Sequence, residues 1–278
     1  MPNSRAENPP PRRSTIQSVD RAARILKVLA SGPRRLGVSE IADRLDLTRP
    51  TVHGLLQTLQ AHGFVEQDRH SDKYQLGAGL LQLGNSYLDL NELRSRSLVH
   101  AERLAARADA AVRVGVMHGA NVVIVHHVFR PDSTLQILEV GAELPLHASA
   151  LGKAMLAYAA DASVADLLAE PLTRLTSRTL AATGLRTELH QVRERGYARE
   201  RDEAILGESS LAAPIFDHSG HAVGAIGVVG DTDRIMPRGP AKALPEAVCD
   251  AARGVSRELG ASRWPALAAD GKPARARA

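Results

Sequence analysis

One stretch constrains the fold more than any other: VSEIADRLDLTRPTVHGLLQTLQAHGFVEQDRHSDKYQL, from Val38 to Leu76. Its first part places Ile41, Ala42 and Leu45 on one helical face, with Ser39 as the expected N-cap. Asp46 and Leu47 break the pattern, and aspartate tolerates the left-handed backbone that such a turn often needs. Thr48 then caps a second helix with Pro50 in its first turn. Val52, Leu55, Leu56 and Leu59 recur at i, i+3, i+4 and i+7, which makes one buried stripe. The opposite face carries Arg49, Pro50, His53, Gly54 and Gln57 and almost no acid. Gly63 ends the helix. Phe64-Val65 and Tyr74-Gln75-Leu76 read as short strands around the polar tip Asp68 to Lys73.

Helix, tight turn, helix and hairpin is the order of a winged helix-turn-helix. The second helix is expected to enter a major groove, and the hairpin tip to touch phosphates or the minor groove. Arg49 is the foremost candidate for DNA contact, because the first turn of a reader helix comes closest to bases and phosphates. Thr48, Thr51, His53 and Gln57 share its face, and Arg69 and Lys73 in the wing are expected to position the protein on phosphates. An ordinary helical hairpin followed by a β-hairpin is the competing reading. The agreement of cap, turn, stripe, glycine stop and basic tip argues against it.

The chain is long enough for two domains at 278 residues. Its single cysteine, Cys249, excludes an internal disulfide and a cysteine zinc set, and fits a reducing cytoplasm. No apolar run has the length of a membrane span, and the N-terminus lacks a signal-peptide core. Charge is unevenly placed. Residues 1–76 hold 12 Lys/Arg against 8 Asp/Glu, while residues 77–278 hold 23 of each. A basic segment on a neutral body suits a nucleic-acid binder with a separate non-DNA domain.

Residues 1–14 are rich in Pro, Arg and Ser and read as a disordered arm, with Arg12 and Arg13 within reach of DNA. Ser18 is the expected cap of a supporting helix carrying Ala22, Ile25, Leu26 and Leu29. After the wing a linker helix is expected across Leu80 to Leu88, interrupted by Gly84, then another over Leu93 to Ala108. Exposed apolar residues on the linker would suit self-association. From Ala111 the period changes: Val112, Val114 and Val116 alternate, Gly119-Ala120-Asn121 turns, and Val122 to Phe129 is β-branched. Gln136 to Val140 is the expected third strand. Leu144 to Ala154 reads as a loop running into a helix that continues to about Ala159. Helices near Val164–Ala169 and Thr187–Arg195 follow, then strands over Ser209–Phe216 and His221–Val229 around a four-residue turn. A last helix covers Ala241 to Leu259. The body is therefore α+β with an antiparallel sheet.

EIADRLDL with TVHGLLQTL, the wing ending YQLG, LPLHASALGKA, RGYARERDEAILG, AAPIFDHSG and AVGAIGV occur in this order. The series resembles the IclR family of bacterial transcription regulators from about Ser18 to Leu259. The resemblance implies an N-terminal winged helix, a linker helix and a C-terminal GAF-like domain that binds a small effector. It implies homodimers or homotetramers that control an adjacent catabolic operon, more often as repressors than as activators. The expected divisions are a disordered arm (1–14), the winged helix-turn-helix (15–77), the linker (78–96), the effector domain (97–260) and a disordered tail (261–278). Several positions depart from the family pattern. Gly54 stands where a basic residue is common, Pro50 where a small polar one is, and Ser210 where a cysteine is. Arg201 interrupts the acidic run, leaving Glu200, Asp202 and Glu203.

The resemblance places effector contacts just after His147-Ala148-Ser149, where a helix begins. Free N–H groups near Ala150 and Leu151 would hold a carboxylate. Glu200 matches an acidic contact position, and Lys153 is expected to pair with a nearby acid. Ser210, Gly227 and Val229 complete the expected pocket. Their scarcity of hydroxyls, with space beside Gly227, points to a small organic acid with an aromatic or branched body. Catalysis is not expected. Ser209, Ser210, His218 and His221 lack a Gly-x-Ser-x-Gly elbow, and strand alternation sends His126 and His127 to opposite faces, which is poor geometry for a shared metal. No cofactor is implied. The reading is a regulator in which effector binding shifts the spacing of two winged helices in an oligomer. An enzyme with an accessory DNA domain is the alternative from another class.

Overall fold

The computed structural model describes residues 16–132, 136–241, 243–262 and 264. The expected arm at 1–14 and most of the expected tail lie outside them. The chain divides into two compact units that meet in sequence at Leu88 and Asp89.

The first unit contains α1 (Gln17–Ser31), α2 (Val38–Leu45), α3 (Arg49–Ala61), β1 (Val65–Gln67) and β2 (Tyr74–Leu76). Ile25, Leu36, Ile41, Val52, Leu56 and Val65 have no exposed surface and form its core. The α2–α3 turn is sharp because Asp46 adopts φ 54°, ψ 51°, the left-handed conformation. Two caps differ from expectation. Helix α2 starts two residues early, at Val38, and Glu40 accepts from the Gly37 N–H at 2.6 Å, so Ser39 lies inside the helix. Helix α1 likewise begins at Gln17 with Ile16 at its cap position, placing Ser18 within the first turn. Thr48 does cap α3, accepting from the Thr51 N–H at 3.4 Å. Gly63, at φ 71°, stops it. Strands β1 and β2 pair antiparallel as Val65↔Leu76, Glu66↔Gln75 and Gln67↔Tyr74.

Helix α4 (Ala78–Leu90) follows, unbroken through Gly84. Leu81, Leu83 and Tyr87 are all exposed on it.

The second unit is built on a six-stranded antiparallel sheet of order β5-β4-β3-β8-β7-β6. Its strands are β3 (Ala111–His118), β4 (Asn121–Val128), β5 (Glu143–Pro145), β6 (Ala198–Arg201), β7 (Glu208–Phe216) and β8 (Ala222–Asp231). Helices α5 (Glu92–Ala108) and α10 (Leu244–Glu258) pack together and cover one face of the sheet. Helices α6 (Ala150–Leu156), α7 (Asp161–Leu167) and α8 (Ala182–Arg195) share a core with the other. A short α9 (Thr232–Ile235) follows β8. The third strand is not at Gln136 to Val140. There the Gln136 side chain bonds the Arg130 backbone, accepting at 2.7 Å and donating at 3.0 Å, and the Glu139 N–H bonds His127 Nδ1 at 3.2 Å. These side-chain bonds compete with a ladder, and the strand forms instead at β5. Helix α8 starts at Ala182 rather than near Thr187 because fully buried Leu185 anchors its first turn. Trp264, beyond α10, donates its indole N–H to the Pro214 carbonyl at 3.2 Å.

Among the described residues, no helix is long and apolar enough to cross a membrane.

Candidate functional site

The outward face of α3 presents Arg49, His53 and Gln57 to solvent beside exposed Thr48, with Thr51 half-buried. Burial of Val52, Leu56 and Leu59 fixes this orientation. Gly54 lies in the middle of that face, and a Cβ built there would meet nothing within 4 Å. In the wing Arg69 is exposed, while Lys73 is half-buried and pairs with Glu40 at 3.1 Å. Lys73 is thus partly committed inside the unit. A basic residue that spacing alone did not single out, Arg35, braces the wing through Asp68 and donates to Gln75 Oε1 at 3.0 Å.

In the second unit, strand register explains why distant residues converge. Glu200 on β6 faces Ser210 on β7, which faces Val229 on β8. Two residues along, Ala212, Gly227, Arg113 and His127 form a parallel row across β7, β8, β3 and β4. Side chains two apart on a strand share a face, so both rows lie on the side covered by α6. Between them and the start of α6 is a narrow cavity of about 20 Å³ whose walls include Ala150, Leu151, Glu200, Ser210, Gly227 and Val229. All six sequence-expected residues therefore line one space. It has room for about one water molecule, so a ligand must part the walls to enter.

Its two ends differ chemically. At one, Ser149 caps α6 by accepting from the Gly152 N–H at 3.1 Å and donates to Pro145 O at 2.7 Å. The N–H groups of Ala150 and Leu151 head this helix, which supplies them no acceptor of its own. Gly152 lets α6 sit this low: a Cβ there would lie 2.2 Å from the Leu146 carbonyl oxygen. At the other end, Glu200 is only 3% exposed. Its carboxylate accepts from the Glu203 N–H at 2.7 Å and from the Ser210 hydroxyl at 2.9 Å. Burial outweighs these bonds and pushes its pKa up to about 7. Lys153, wholly buried, pairs with an acid as expected, Glu203 at 2.6 Å. Burial also raises the Glu203 carboxyl.

Two features differ from the expected pocket. The space beside Gly227 is filled, since a Cβ there would lie 2.4 Å from Leu211 O and 2.7 Å from Ala212 Cβ. This glycine lets β7 approach β8 and opens no room for a bulky ligand. Arg113, also on the wall, went unmarked in the sequence. Its guanidinium is clasped by Glu139 and bonded to Glu208 at 3.1 Å. Nothing local announces it, because its partners lie 26 and 95 residues away.

His126 and His127 do diverge. His126 feels Arg94 and Glu102 of α5, whereas His127 contacts Glu139, and burial lowers both imidazole pKa values. No cluster of three metal-ligating side chains occurs among the described residues.

Comparison with known proteins agrees with both halves. Residues 18–69 match the model of the IclR helix-turn-helix domain, and residues 85–257 that of the bacterial transcriptional regulator IclR C-terminal domain. The glycerol operon regulatory protein of Streptomyces griseus is 50% identical, over 90% of this chain and 98% of that protein. The protein of the same name from Streptomyces coelicolor is 48% identical over the same shares. Among solved structures, an IclR-type transcriptional regulator from Alicyclobacillus acidocaldarius is 26% identical with a TM-score of 0.78, covering 89% of this chain and 98% of its own.

Proposed function

This chain belongs to the IclR family of bacterial transcriptional regulators, and from that premise we propose that it represses a glycerol-type catabolic operon until a small effector binds its C-terminal unit. It is a DNA-binding regulator with an effector-binding domain. Operator contact is assigned to Thr48, Arg49, Thr51, His53 and Gln57, with Arg69 and the partly committed Lys73 on phosphates. Effector contact is assigned to Ala150, Leu151, Glu200, Ser210, Gly227 and Val229. One observation carries the effector reading: a single cavity sets N–H donors at the α6 start against the Glu200–Ser210 pair. That arrangement suits a compact molecule with hydrogen-bonding oxygens at both ends. An aromatic or branched body finds no room beside Gly227. A three-carbon polyol derivative meets these demands, and the glycerol operon relatives support it.

Operator recognition is assigned to a homodimer or homotetramer, because one reader helix spans too few base pairs for selectivity. The exposed Leu81, Leu83 and Tyr87 of α4 are the proposed pairing surface. Deletion of the gene should raise transcription of the adjacent operon, measured with a reporter, and addition of glycerol to wild-type cells should do the same. A fall on deletion would make the protein an activator.

A further inference from the structure

We propose that Arg113 is the anion-recognising residue of the effector site and that Glu139 holds its place in the unliganded protein. The inference rests on the effector reading above and names the chemistry of one end of that ligand.

Arg113 stands between two spaces. It lines the effector cavity, and also a neighbouring cavity of about 370 Å³ that Glu139 and His127 line. Glu208 lines both. Only 10% of the arginine side chain is exposed. Its Nε and Nη2 both donate to Glu139, the latter at 2.7 Å, while Nη1 donates to Glu208 Oε1 at 3.1 Å. The Nε/Nη2 pair is the planar fork that fits a carboxylate or a phosphate with two parallel bonds. An internal carboxylate thus occupies the group best suited to hold an external one.

The two acids are not equivalent. Glu208 belongs to β7 and is paired in the sheet with Asp231. Glu139 lies outside the strands, and its main chain is tied to β4 through the bond to His127. Its carboxylate can therefore swing away without moving the backbone. Nearly a third of the side chain is already exposed, so water receives the displaced charge. The exchange keeps one anion on the fork and leaves Glu208 in place, so Arg113 stays compensated throughout. Removing the arginine, by contrast, would strand two partly buried acids. The ligand class is a small polyol bearing a carboxylate or a phosphate ester. Its anionic group lies on Arg113, and its hydroxyls reach toward Ser210, Glu200 and the N–H groups at the start of α6.

Calorimetry on the full-length protein with sn-glycerol 3-phosphate, glycerate and glycerol tests this. One or both anions should bind wild type, their difference separating phosphate from carboxylate, and glycerol should bind at least about tenfold more weakly. Glu139→Gln weakens the internal competitor and should tighten anion binding several-fold. Arg113→Lys keeps the charge but loses the fork, and should weaken it about tenfold or more. The melting transition of each variant shows whether it is folded, and Glu139→Gln remains informative should Arg113→Lys not fold. Anion affinity that is unchanged or lower in Glu139→Gln overturns the proposal. Glycerol binding as tightly as the anions also overturns it, while leaving the glycerol reading intact. If none of the three binds either wild type or Glu139→Gln, both fall together.

Discussion

Glu200 carries a measurable signature because folding changes its proton affinity. Its carboxyl moves from the ordinary 4.5 to about 7 through burial. The folded state then holds the proton more tightly than the unfolded chain does. The corresponding stabilisation is complete below the unfolded value and is lost as pH rises through about 7. For a residue this buried the whole effect is on the order of 3 kcal/mol. Urea midpoints should therefore fall between pH 5 and pH 8, and Glu200→Gln should flatten that fall; an equally steep variant would place the titration elsewhere. On the reader helix, Arg49→Ala should weaken specific operator binding by ~1–3 kcal/mol with relaxed discrimination at one base, if Arg49 reads a base edge. A gel-shift titration with wild-type affinity would remove Arg49 from the interface. If only phosphate is touched, all sequences weaken alike and the salt slope drops.

Helix α3 is organised by its two faces, and Gly54 is its costly position. A glycine inside a helix is less stable than alanine by about 0.5–1 kcal/mol. Open space surrounds it, so packing within the chain does not demand it. Close approach of a DNA backbone would. Gly54→Ala is thus expected to raise the urea midpoint while lowering affinity for DNA of any sequence; a more stable variant with unchanged DNA binding would refute close approach. What could be read from sequence follows the same logic of distance along the chain. The α2–α3 turn and the α3 stripe were legible because Asp46, Thr48, Val52 and Gly63 act on their immediate neighbours. Side-chain bonds to the backbone moved the cap at Ser39 and the strand expected at Gln136. The Glu200–Ser210–Val229 row became visible through family resemblance, since register brings together strands that spacing cannot pair. The Arg113 clasp was illegible because three elements far apart in sequence compose it. Gly227 showed its identity but hid its cause, which is the closeness of Leu211 and Ala212.

At the scale of the molecule, excess positive charge belongs to the first unit and the proposed effector cavity to the second. Selectivity then requires more than one reader, and sedimentation should show at least a dimer at micromolar concentration. A monomer, with and without DNA, would count against the pairing assigned to α4. That helix is predominantly apolar, yet Leu81, Leu83 and Tyr87 remain more than half exposed in the single chain. Pairing across such a surface makes the amount of protein a variable of the circuit. Where chains are mostly single, the population of pairs grows with the square of the total, so a twofold change in synthesis shifts operator occupancy by about fourfold. Repression would then end by dilution as cells grow, without any effector, at a rate set by the doubling time.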